Sequence, residues 1–164
     1  SEPKDGYDIR GVCLFGISEC ERSRKTDQIL PNNVELFGKL MNISHDGDRT
    51  VKFGREWRGE VTDHYLERLI ESKDREEARL EFQSGYYGCG TDETDFLVDT
   101  ALMVRGVYGA SLVGAGLGGF VEILVGKTST HKVTEKLESE YYRDEAKRRS
   151  GIMLIRSIEG AGLI

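Results

Sequence analysis

Between Val107 and Gly126 the chain reads VYGASLVGAGLGGFVEILVG, two β-leaning runs joined through Gly114-Ala115-Gly116-Leu117-Gly118-Gly119. Seven of the chain's 20 glycines fall between Gly106 and Gly126. Glycine at that local density calls for tight backbone geometry rather than a loose linker. The pattern predicts an antiparallel pair over YGASLVGAG and GGFVEILVG. Such a run can turn backbone N–H groups outward toward an anion or let another segment pack closely, and it can equally be a plain hairpin turn with a bulge. It is not a dinucleotide-binding fingerprint, which opens a helix after a strand, and it lacks the Gly-Lys-Ser/Thr that completes a Walker P-loop.

The rest of the chain is read by periodicity. Residues 1–10 look irregular. Val12, Phe15, Ile17 and Ile29 predict a helix over about 13–30, broken by Pro31-Asn32-Asn33. VELFGKLMNISH, with Leu36, Phe37, Leu40 and Met41 three and four apart, predicts a short amphipathic helix. The polar stretch from His45 to Gly59 reads as a loop, and residues 60–82 as a charged helix marked by Tyr65, Leu66, Leu69, Ile70 and Leu80. TDETDFLVDTALMV predicts another helix, which Thr91 or Asp92 can cap with Glu93 or Asp95 supporting its first turn. After the glycine hairpin, THKVTEKLESEYYRDEAKRR predicts a helix and GIMLIRSI a last strand. The order implies an α+β fold, several helices on one face of a small antiparallel sheet.

Composition excludes several roles. At 164 residues the chain is long enough for one sizeable core. Its formal charge of −6 sets no basic field against phosphate, so nucleic acid is not the expected partner. No apolar run approaches the ~20 residues of a membrane span, and SEPKDGYD is too polar for a signal peptide. Cys13, Cys20 and Cys89 are odd in number and lack metal-like spacing, which fits a reduced, cytoplasmic setting.

Other candidate residues read plainly. Ser44 and His45, adjacent in sequence, cannot readily face each other and fit a helix-end pair bonding the backbone. His64 and His131 sit on charged segments as surface residues, and no metal site is expected. Asp46-Gly47-Asp48 resembles the start of a calcium loop but lacks the later Glu. Cys89, beside Gly90, fits a buried inert thiol, while Tyr86-Tyr87 and Tyr141-Tyr142 fit half-buried packing.

Four segments together carry a family resemblance. YGASLVGAGLGGFVEILV resembles the third signature motif of the GHMP sugar kinases, G-A-x-M/L-T-G-A/G-G-F-G-G. LFGKLMNISH is similar to the galactokinase segment F-G-x-L-M-x-x-S-H, and IEGAG to the galactokinase carboxy-terminal G-A-G. CGTDETDFLVDTA resembles the segment before the third motif, and also the arabinokinase and glucuronokinase branch. The matches run in family order across residues 36–162. The subfamily stays open.

The resemblance implies a ferredoxin-like carboxy-terminal domain of a galactokinase-like sugar kinase spanning 1–164, with a helical insertion over about 46–84. In galactokinases few residues separate the Ser-His pair from the equivalent of Thr91–Asp95, whereas here residues 46–90 intervene. That stretch could be a lid, an oligomer contact or inert, and inert is the expectation. The family's Gly/Ser phosphate loop, catalytic Asp and sugar motif belong to its amino-terminal half and have no counterpart here. No catalytic residue is therefore expected in this chain, and no kinase activity from it alone. The resemblance assigns Gly114, Ala115, Gly116, Gly118 and Gly119 to the loop that lies against the phosphate site, and weakly Tyr7 to the sugar. Val113 where Thr is common, Leu117 where Phe is common, and Phe120 where a small residue is usual depart from the family. The implied partners are an amino-terminal kinase half, in the same or a separate chain, and a sugar. ATP and Mg²⁺ belong to the intact enzyme, none expected on this chain alone. The alternative is a stand-alone ligand-binding or interaction module that has lost the kinase half.

Overall fold

The computed structural model describes residues 6, 8–116 and 118–156. Its five α-helices and four strands begin with α1 (Ile9–Ile29), which starts four residues earlier than its periodicity suggests because the Asp8 carboxylate caps it, accepting from the Gly11 N–H at 2.9 Å. The Pro31-Asn32-Asn33 break then starts α2 (Val34–Asp48), where the Asn33 side chain accepts from the Leu36 N–H at 2.9 Å. The expected loop after His45 is partly structured. β1 (Val51–Lys52) and β2 (Arg55–Glu56) form a small antiparallel hairpin, turned by Phe53 and Gly54 at φ 48° and 74°. Two consecutive positive φ angles match the right-handed twist of the strands they join.

The long charged helix expected over 60–82 is shorter. Only α3 (Asp63–Glu71) is α-helical, capped by Thr62, and two short 3-10 turns follow at Glu76–Ala78 and Leu80–Phe82. The reason is tertiary: the buried Arg22 guanidinium of α1 donates to the carbonyls of Glu81 and Gln83 at 2.9 and 2.8 Å. Those carbonyls are then turned toward α1 instead of along a helix axis. Next, α4 (Asp92–Leu102) opens with a capping box between Thr91 and Thr94.

β3 (Val107–Val113) and β4 (Phe120–Val125) form the expected antiparallel pair, in register from Val113↔Phe120 to Gly109↔Leu124, with an irregularity beside Tyr108. α5 (Thr130–Glu140) follows but ends well before Arg149, where Tyr141 turns to pack against Phe96 with ring centroids 6.1 Å apart. Residues 151–156 form no strand, and Ile152, Met153, Leu154 and Ile155 are exposed. An apolar, β-branched run becomes a strand only when another strand pairs with it, and none lies beside this one among the described residues.

The architecture is α+β. Its core is Val98 and Ala101 of α4 against Ala110 of β3, with Leu102, Val121 and Ile123 packed around them. α2 lies against β3 at backbone contact, Gly38 facing Tyr108 and Gly109 so closely that a side-chain carbon on either glycine would collide with main chain. That closeness lets α2 side chains reach the strand's main chain. Asn42 Oδ1 accepts from the Ala110 N–H at 2.9 Å, and His45 Nδ1 from the Leu112 N–H at 3.3 Å. No helix among the described residues is long and apolar enough to cross a membrane.

Candidate functional site

The turn between β3 and β4 is built from glycine because its backbone lies where other residues seldom go. Gly114, Gly116, Gly118 and Gly119 have φ of 105°, 82°, 108° and 115°, a region costly for any residue bearing a Cβ. Gly114, Ala115 and Gly119 are exposed; Gly116 and Gly118 are half-buried. Leu117 lies outside the described residues, as do Tyr7 and the IEGAG motif. The five residues expected to form the loop thus sit together in one turn, and the turn's described residues carry no charged side chain.

Gly116 fixes the turn to the body. A Cβ there would lie 2.5 Å from the Cys89 Cβ and Sγ and 2.6 Å from its carbonyl oxygen. Cys89 is held in turn by main-chain bonds along the end of α2. Tyr87 and Gly88 donate to the Gly47 carbonyl, and Gly90 donates to that of Asp48 at 2.7 Å. The Cys89 thiol donates to Asp48 Oδ1 at 3.1 Å. Burial, then the Asp48 hydrogen bond and charge, push that thiol up to about 12, and burial raises the Asp48 carboxyl. A thiol held protonated at neutral pH is an inert packing group. Asp46-Gly47-Asp48 is the last turn of α2, and Asp46 pairs with Lys52 and Arg49.

Beneath the turn lies a buried polar cluster that periodicity does not announce. His45 and Asp95 are fully buried, with His45 Nε2 3.2 Å from Asp95 Oδ1. Asp95 Oδ2 accepts from the N–H groups of Thr50 and Val51 at 2.9 and 2.8 Å. Burial pulls the Asp95 carboxyl upward, but His45 and those two N–H groups outweigh it and hold it below its ordinary value. One turn on, Asp99 binds the buried Arg49 guanidinium at 2.9 Å and the Phe53 N–H at 2.7 Å. Asp95 and Asp99, four residues apart on α4, therefore clasp the hairpin of residues 50–56 while His45 supports β3. The only sequence signal is that spacing beside an i, i+4 pair, His45 in the last turn of α2 and Arg49 just past its end.

The other candidates are spread out. His64 and His131 are exposed, His131 beside Glu135 at 3.2 Å. Tyr87 stacks on Phe15 with centroids 5.5 Å apart. No group of three His, Cys, Asp or Glu side chains that could hold a metal ion occurs among the described residues.

No protein-family model matches the chain, and no solved structure does either. It is similar to a galactokinase of Thermosipho africanus, 29% identical over 129 residues, covering 79% of this chain and 35% of that enzyme. A galactokinase of Staphylococcus saprophyticus is 30% identical over 126 residues, 76% of this chain and 24% of the enzyme. The galactokinase of Thermotoga maritima is 39% identical over 69 residues, covering 42% of the chain and 18% of the enzyme. The chain spans about a third or less of the length of these relatives. Over that span the chain is galactokinase-like in sequence.

Proposed function

We propose that the chain is the carboxy-terminal, ferredoxin-like domain of an ATP-dependent sugar-1-kinase of the galactokinase kind, working in the cytoplasm. The observation that carries this reading is the glycine turn. Its four positive-φ glycines sit in a stretch similar to the family's third motif, in a chain whose curated relatives are galactokinases.

In the intact enzyme the sugar's anomeric oxygen attacks the γ-phosphorus of ATP, the bond to the β-phosphate bridge oxygen breaks, and ADP leaves. The hydroxyl proton passes to a base. Catalysis of such a transfer is mainly positioning and charge stabilisation. This chain's part is to close one side of the phosphate site. Exposed main chain at Gly114 and Gly119 can approach phosphate oxygens closely because neither residue carries a side chain. By the same resemblance the catalytic Asp, the Gly/Ser phosphate loop and the sugar motif belong to the family's amino-terminal half, with Tyr7 the one sugar candidate in this chain. Residues 46–90 are assigned a structural part, since Arg22, Asp95 and Asp99 tie them to α1 and α4.

The test is calorimetry with Mg-ATP on the 164-residue chain, alongside galactose-dependent ADP release by the native polypeptide or assembly that contains it. The reading predicts no detectable heat from the chain alone and turnover from the native material. Micromolar nucleotide binding by the chain alone would favour a stand-alone binding module.

A further inference from the structure

α1 has two unlike faces. Gly11, Leu14, Ser18 and Arg22 are buried against α2 and the segment ending at Tyr86. On the opposite side Ile9, Val12, Cys13, Gly16, Ile17 and Cys20 recur at intervals of three and four, one continuous helical stripe. Every one of the six is exposed: Ile9 by 69%, Val12 by 42% and Ile17 by 52%, with both cysteines open and nothing within 4 Å of where a Gly16 Cβ would stand. The stripe holds no charge. The charged residues beside it are engaged elsewhere, Arg10 with Asp63, Glu19 with Arg22, and Glu21 with Arg24 and Lys25. A water-facing helix face of this kind carries charge as a rule, and an apolar one marks a contact surface.

We propose that this stripe is the face on which the remainder of a galactokinase-like polypeptide docks, an inference that rests on the functional reading above. About two thirds or more of each relative's length lies outside its match to this chain, so polypeptide of that extent needs a surface to meet. Size argues against a second copy as the occupant. Twelve helical residues make a stripe about 16 Å long and about 10 Å wide, far below the ~800 Å² per partner of a stable dimer. A contact between parts of one assembly already held together needs less area, because joining costs little further translational freedom.

Cys13 and Cys20 are built-in probes. The native polypeptide or assembly, isolated with an antibody to the α5 segment, is pulsed with iodoacetamide and compared with the 164-residue chain by mass spectrometry. The proposal predicts labelling of both cysteines at least about 10-fold slower in the native material. A thiol-to-amine cross-linker should then join them to galactokinase-like peptides from outside residues 1–164. Val12→Glu with Ile17→Glu should leave the melting of the isolated chain unchanged and abolish the protection, whereas Lys132→Glu on α5 should not. Equal labelling rates, protection that survives the double variant, or cross-links to a second copy or to an unrelated protein would each overturn the proposal. Sugar phosphorylation is assayed on the same preparation: turnover with unprotected cysteines rejects the docking face alone, and absent turnover rejects the functional reading.

Discussion

Replacing Asp95 by alanine should be among the most damaging single changes in the chain. The carboxylate is fully buried and serves three elements: His45 of α2, the Thr50 and Val51 N–H groups of the hairpin, and its own helix α4. Alanine leaves the Thr50 and Val51 N–H groups without their acceptor and removes the carboxylate that lies against the His45 imidazole. Each such N–H costs about 1–3 kcal/mol, and with the space vacated beside His45 the total is about 3–5 kcal/mol. For a chain of this size 1 kcal/mol moves Tm by about 2–4 °C, so Asp95→Ala should melt roughly 6–20 °C below wild type. Asp95→Asn keeps an oxygen for the two N–H groups and should lose less than half of that. The pH dependence has a definite sign. The folded carboxyl titrates below its ordinary value near 3.8, so its contribution is complete well above that pH and fades as pH falls through the lower, folded value. The gap in Tm between wild type and Asp95→Ala, followed by circular dichroism, should therefore be full at neutral pH and shrink on acidification below about pH 4. An alanine variant melting within 2 °C of wild type at pH 7, or a gap that widens on acidification, would refute the reasoning.

Further outcomes follow from the same geometry. Arg22→Met should loosen residues 76–86, raising their amide exchange by about 10-fold or more, because the Glu81 and Gln83 carbonyls lose their buried donor. Gly116→Ala should destabilise more than Gly118→Ala in thermal melts. The first meets Cys89 as well as a positive φ, the second only the positive φ, about 1–2 kcal/mol; equal losses would deny the close contact. With its thiol at about 12, Cys89 should resist iodoacetamide at pH 7.5, and Asp48→Asn should make it more reactive by removing the negative charge beside it.

How much of this was legible in the sequence differs by element. The glycine hairpin was, because strand, positive-φ turn and strand are each local requirements that GASLVGAGLGGFVEILV meets without help. The core stretches of α2 and α4 were legible too, since the Pro31-Asn32-Asn33 break and Thr91 mark where they begin. Residues 60–82 misled, because charge-rich helical spacing says nothing of a buried arginine in α1 that pulls carbonyls out of line. Residues 151–156 misled in the opposite sense, β propensity without a neighbour to pair. Within the site, the turn could be read, but the His45–Asp95 and Arg49–Asp99 contacts could not. Each joins residues 50 apart in the chain, and only the packing of both α2 and α4 against β3 brings them together.

The most direct measurement is galactose phosphorylation by the native polypeptide or assembly containing this chain, with the wild-type turn and with Gly118→Val. The account predicts galactose 1-phosphate from the wild type, none from the 164-residue chain alone, and a loss of turnover of about 10-fold or more in a variant that bends the turn without a packing collision. Turnover untouched by Gly118→Val, or a native preparation that phosphorylates no sugar, would contradict it.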